Sequence, residues 1–192
     1  MGRGKAAICF NAIQPSQYWR HRGRPRNSMP FINYVFFKQP SKFWADAKHL
    51  RYEVFVKEQG VPEAIELDDR DQSACHLIAR QNQLTCAVMR ILLSTDHAKF
   101  GRIATHPNHR KQGIANGMVK QAIAFCHLAG TATISLNSQS YITHFYEKLG
   151  FKAEGSPFLE AGIPHLHMAL NLTQDNYCEL PLQQEPFDSQ GA

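Results

Sequence analysis

The chain has 192 residues, 43 % of them hydrophobic and 19 % charged, which suits one globular domain and excludes a disordered or fibrous protein. No run of about eighteen apolar residues occurs, so no segment reads as a membrane-spanning helix. The formal net charge is +5, but Arg3, Lys5, Arg20, Arg22, Arg24 and Arg26 all precede Met29, and no acid precedes Asp46. Without those six, fifteen bases face sixteen acids, so the domain carries −1 and its charge argues against nucleic-acid binding by the fold. Cys9, Cys75, Cys86, Cys126 and Cys178 are odd in number and form no C-x-x-C pair. That pattern argues for a reducing compartment and against a disulfide framework or structural zinc.

Residues 1–29 hold Gly2, Gly4, Pro15, Gly23, Pro25 and the cluster RHRGRPR, without helical or strand period. They read as a mobile basic extension. Three explanations stay open: a mitochondrial presequence, a stretch upstream of a natural start at Met29, or a phosphate-binding arm. The domain is expected over residues 30–172, and residues 173–192, with four acids and no base, read as a loose acidic tail. FINYVFF reads as a strand. Residues 42–58 carry Phe43, Ala47, Leu50 and Val54 at helical spacing, closed by Gly60 and Pro62. ACHLIARQ and LTCAVMRILL predict a hairpin turning near residues 81–83. KFGRIAT is a third strand, ended by Pro107. Residues 113–127 place Ala115, Val119, Ala122, Ile123 and Cys126 on one helical face, and Gly130 closes them. TATISL is a strand, residues 139–149 a helix closed by Gly150, and FKAEG and HLHMAL two last strands. The order β-α-β-β-β-α-β-α-β-β predicts an α/β (α+β) domain, a mainly antiparallel sheet with helices on both faces.

The stretch HPNHRKQGIANGM, residues 106–118, joins a strand to a helix. A helix start leaves its first amides without partners and carries about half a positive charge. Arg110 and Lys111 add charge, while Gly113 and Ala115 keep bulk away, so the site suits a phosphate or pyrophosphate. Neither the GxxxxGK[ST] loop nor G-x-G-x-x-G is present. On local chemistry alone, a basic loop before a helix explains the stretch equally well.

IATHPNHRKQGIA resembles the acetyl-CoA motif of the GCN5-related N-acetyltransferase (GNAT) superfamily, its [RQ]-x-x-G-x-[GA] hexad falling on Arg110, Lys111, Gln112, Gly113, Ile114 and Ala115. FYEKLGF, residues 145–151, resembles the second family signature. RYEVFVKEQGVPEAIELDDRD, His76 and GIPHLHM are similar to the ElaA-like branch. The resemblance implies the GNAT fold, a mixed sheet of six to seven strands splayed between strands 4 and 5. It also implies an acetyl-CoA-dependent N-acetyltransferase acting on a primary amine, of a small molecule or a protein, in a ternary complex. By that likeness Ile103, Ala104 and Thr105 offer backbone to the pantetheine arm, residues 110–115 hold the pyrophosphate, and Tyr146 is the general acid.

The sequence departs from better-known relatives at two places. Ile134 stands where some carry a glutamate on the fifth strand, and Gln139 where many use asparagine against CoA. The base is therefore open among Glu58, Glu66, Asp68 and His76. Thioester aminolysis needs no metal. His165 and His167 alternate on one strand face, but lack the further ligands of a metal set. Homodimers are common among similar proteins. A cytoplasmic location is expected, or a mitochondrial one if residues 1–29 are a presequence. Two rival readings remain: a CoA-binding regulator without turnover, and a nucleic-acid binder working through the basic arm.

Overall fold

The computed structural model describes residues 31–173, so the readings made for the basic extension and the acidic tail lie outside the described residues. Seven strands form one sheet in the order β1-β2-β3-β4-β5-β7-β6. Strand β1 (Ile32–Phe37) alternates Ile32, Tyr34 and Phe36 toward one face with Val35 and Phe37 toward the other. It pairs antiparallel with β2 (Cys75–Gln81), which turns into β3 (Leu84–Leu93) through Asn82 and Gln83. Their φ values of 48° and 70° make the left-handed two-residue turn that matches strand twist.

Strand β4 (His97–Thr105) runs antiparallel to β3, with its pairing shifted between Gly101 and Ala104 around Arg102, whose φ is 52°. Strand β5 (Thr133–Gln139) is parallel to β4, but only from His97↔Thr133 to Phe100↔Leu136. Beyond Phe100 the two strands part, at the place the resemblance implied. Strands β6 (Lys152–Glu160) and β7 (Ile163–Asn171) complete the sheet antiparallel, β7 lying against β5.

Helix α1 (Trp44–Arg51) packs on one face over Phe37, Ile78, Val88 and Ala104. The other face is covered by α4 (Ile114–Leu128) and by α5 (Thr143–Glu147). Helix α4 lies inward because Ile114, Met118, Val119, Ala122, Ile123 and Cys126 recur at three-to-four-residue spacing, and all six are buried. Cys75, Cys86 and Cys126 are buried free thiols.

Six elements differ from their sequence expectation. The helix expected over residues 42–58 starts at Trp44 and widens into π-type turns at Tyr52–Glu58, a form common beside functional sites. The helix expected over residues 139–149 is a 3-10 turn (Ser140–Ile142) followed by the five-residue α5. Helices α2 (Glu63–Glu66) and α3 (Arg70–Ser73) are single turns too short for any hydrophobic period to announce. Strands β6 and β7 outrun FKAEG and HLHMAL. Gly155, at φ 74°, and Pro157 fall inside a register shift of the edge strand, where a missing ladder bond costs little.

Candidate active site

Where β4 and β5 part, a cavity of about 180 Å³ opens, lined by Phe100, Gly101 and Ile103 on one side and Leu136, Asn137 and Gln139 on the other. Among the described residues no strand lies beside the β5-facing edge of β4 past Phe100, so an extended chain can add there. Ile103 is half-buried on the wall, Ala104 is buried under α1, and the Thr105 carbonyl accepts from Arg110 Nε at 3.0 Å. Of the expected strand contacts, the Thr105 oxygen is thus already engaged. At the far end Gln139 Nε2 donates to Gln59 Oε1 at 3.1 Å, and Gln139 Oε1 accepts from Tyr141 Oη at 2.5 Å. The π-type turns are what bring Phe55 and Gln59 to this wall.

The helix-start loop offers fewer free groups to an anion than the sequence implied. The Arg110 amide bonds to the Pro107 carbonyl at 3.3 Å, and its guanidinium grips both Glu58 oxygens at 2.8 and 2.6 Å. That hydrogen bonding holds the Glu58 carboxyl below its usual range and raises Arg110. Gln112 Nε2 caps the Asn108 carbonyl at 3.0 Å. Lys111 and Gly113 adopt left-handed φ of 61° and 77°. The helix opens with the bond from Gly117 N to Gly113 O at 3.0 Å, which leaves the amides of Ile114 and Ala115 without intrahelical partners while the Ile114 side chain enters the core. Successive amides in this turn make an anion-binding concavity. Gly117 was overlooked in the sequence: a Cβ there would sit 2.0 Å from Tyr34 Oη.

Tyr146 lines the cavity from α5, 5 % exposed, with Phe145 and Phe151 edge-on at 4.8 and 5.9 Å. Burial, aided by Tyr141, pushes its phenol well above the ordinary value, so it keeps its proton across neutral and mildly alkaline pH. Ile134 is fully buried in the core on the same side.

The base candidates do not come together. Glu58 is bound to Arg110, at the surface. His76 is wholly buried between Phe37 and Trp44, at ring distances of 5.1 and 5.0 Å, and lies outside the cavity wall. Its Nε2 lies 2.9 Å from the Asp71 carbonyl, and burial lowers its pKa. Glu66 does line the cavity, but one oxygen meets Arg51 Nε at 2.5 Å and the other Arg102 Nε at 2.8 Å. Burial pushes this carboxyl up, against the pull of Arg51 and Arg102.

Around Glu66 lies a buried network that no sequence period reveals. Arg51, without exposed surface, also meets Asp71 at 2.8 Å, and Arg90 bridges Asp68 at 2.6 Å and Asp71 at 2.8 Å. Arg102 donates to the carbonyls of Ile65 and Glu66 at 2.7 and 3.0 Å. The network therefore ties the bulge that starts the splay to the loop that walls the cavity. Burial works against the Asp68 charge, but hydrogen bonds from Arg90 and Arg70 outweigh it and hold that carboxyl at about 2. His167 Nδ1 lies 3.2 Å from Asn137 Oδ1, and among the described residues no cluster of three metal-binding side chains occurs.

A family model for the acetyltransferase (GNAT) domain matches residues 43–172. Over 124 residues, 64 % of this chain and 89 % of the other, the sequence is 32 % identical to the uncharacterized N-acetyltransferase YjcF of Bacillus subtilis. An acyl-CoA N-acyltransferase from Pseudomonas aeruginosa superposes with TM-score 0.67 at 25 % identity, covering 73 % of this chain and 99 % of that one. Escherichia coli ElaA superposes at 0.66 with 24 % identity, covering 73 % and 100 %. The parted strands, the helix-start cradle and these matches agree: the chain belongs to the GNAT family of acetyltransferases.

Proposed function

We propose that this acetyltransferase moves an acetyl group from acetyl-CoA to a primary amine by direct transfer within a ternary complex. The observation that carries the reading is a cavity at the strand splay that joins an unpaired strand edge to a buried tyrosine. The residues present fit the co-substrate. The amides at the start of α4 and the exposed Lys111 suit phosphates, and the free edge of β4 suits the amide-bearing arm. At about 180 Å³ the cavity admits an acyl group and the head of an amine, leaving the nucleotide end outside.

When bound, acetyl-CoA supplies an activated acyl carbon and a thiolate leaving group. Ile103 lines the cavity, and its amide would donate to the carbonyl oxygen as that gains charge. Tyr146 hands its proton to the departing sulfur. The amine must first become neutral, which at pH 7 costs about 4 kcal/mol for an alkylamine of ordinary pKa near 10.

The test is thiol release from acetyl-CoA across a panel of amines, amino acids, polyamines and peptides, run beside Tyr146→Phe. The variant is expected to bind CoA as the parent does in calorimetry and to turn over at least about tenfold more slowly. Turnover equal to the parent's removes the acid role. Binding of CoA with no turnover on any acceptor favours a regulator that senses CoA. A salt-sensitive affinity for RNA or DNA that is abolished by deleting residues 1–29 favours a binder working through the basic arm, whereas the enzyme reading expects that deletion to leave activity alone.

A further inference from the structure

Glu58 and His76 lie off the cavity wall and both oxygens of Glu66 are held by arginines, yet the wall also holds an imidazole nitrogen without a partner. His165 lines the cavity and is 9 % exposed. Its Nδ1 lies 2.8 Å from the Ile163 carbonyl oxygen. A carbonyl only accepts, so Nδ1 carries the hydrogen and Nε2 of the neutral ring holds a lone pair. Among the described residues Nε2 has no hydrogen-bond partner. The Phe158 ring, stacked at 6.1 Å and 28°, fixes the imidazole plane.

Sheet register decides which way this ring points. His165 pairs with Gln139 and His167 with Asn137, so these four side chains share a face, as the His167–Asn137 contact shows. Tyr146 and Leu136 belong to the core cluster on the opposite face. Because the cavity passes between parted strands, Tyr146 and His165 reach it from opposite sides of the sheet. A donor for the leaving sulfur and an acceptor for the attacking amine need that separation.

We infer that His165 is the general base of the reaction proposed above, on which this assignment rests, and that Nε2 takes a proton from the acceptor ammonium directly or through one water. The nitrogen lone pair so freed forms the C–N bond as the C–S bond breaks, and the sulfur takes the Tyr146 proton. Of the two protons the ammonium sheds, one leaves through His165 to water and the other restores Tyr146. Among the other ionisable groups on the wall, the arginines are matched by carboxylates. Arg70 and Arg90 are paired with Asp68, and Arg102 with Glu66. Glu160 accepts from Asn137 Nδ2 at 2.7 Å, and Lys99 is exposed and, while charged, has no lone pair. Imidazole is also the side chain whose ordinary range lies nearest neutrality, where a base works best.

His165→Asn retains a donor for the Ile163 carbonyl and removes the basic ring nitrogen. With an acceptor that the parent enzyme uses, its kcat/KM is expected to fall about 100-fold at pH 7. The deficit should shrink below about tenfold near pH 10, where half of an alkylamine is already neutral. CoA affinity should not change, and added imidazole should restore turnover to His165→Ala. A loss under about threefold at pH 7, or one equal at pH 7 and pH 10, overturns the assignment. A parent enzyme that turns over nothing brings down the transferase reading and the base with it; an active parent matched by His165→Asn brings down the base alone.

Discussion

A phenol surrounded by Phe145 and Phe151 is an acid that water does not easily deprotonate. Because burial raises the Tyr146 pKa, the donating form persists well above the pH at which an ordinary tyrosine would ionise. Turnover measured with a saturating acceptor is therefore expected to show no alkaline fall below about pH 10, the ordinary tyrosine value. A fall centred between pH 8 and 9 would indicate that a different group gives the proton. At this scale the resemblance of FYEKLGF, residues 145–151, to the second family signature is what put Tyr146 forward as the acid candidate. His165 had a weaker signal: its alternation with His167 pointed to a shared face, and only the register against β5 shows what that face adjoins.

At the scale of elements, α4 has to approach β1 closely, and the glycine in its second turn makes that possible. Gly117→Ala would place a methyl 2.0 Å from Tyr34 Oη and 2.9 Å from its ring carbon. Alanine is the better helix former by about 1 kcal/mol, but overpacking against a rigid ring costs more. A net destabilisation of about 1–2 kcal/mol is expected in urea unfolding, largely relieved by adding Tyr34→Phe. If the alanine variant is as stable as the parent, the close approach has no energetic weight. Periodicity located α4 because its apolar stripe is long and local. It failed on the shortened α5 and on the π-type turns, whose form answers to packing around the cavity more than to any period.

At the scale of the whole molecule, charge ties α1, β3 and β4 to the loop that walls the cavity. Replacing Arg51 with methionine leaves Glu66 and Asp71 buried without their shared cation, and should cost about 3–5 kcal/mol at pH 7. The folded carboxyls of Asp68 and Asp71 lie below their ordinary values, because arginine hydrogen bonds outweigh the opposing effect of burial. Their stabilisation is complete above the unfolded value near 4 and is lost as pH falls toward about 2, the folded value of Asp68. Glu66, raised by burial, runs the other way: its share is present at low pH and lost as pH climbs through its folded value. Unfolding midpoints should therefore fall steeply between pH 4 and pH 2, and less steeply in Arg51→Met. Parallel slopes in the two proteins would mean that the network does not govern acid stability.

The sequence by itself determined the strand order, the long helix α4 and the helix-start loop, and by resemblance the acid candidate, because each rests on residues that are neighbours along the chain. Hydrophobic period, turn residues and a local heptad are all short-range signals. Tertiary structure alone decided which charges are already matched, Arg110 by Glu58 and Glu66 by Arg51 and Arg102, and which imidazole is left open to the cavity. Those outcomes depend on pairings between distant segments and on the parity of a sheet, where one residue of register moves a side chain to the opposite face.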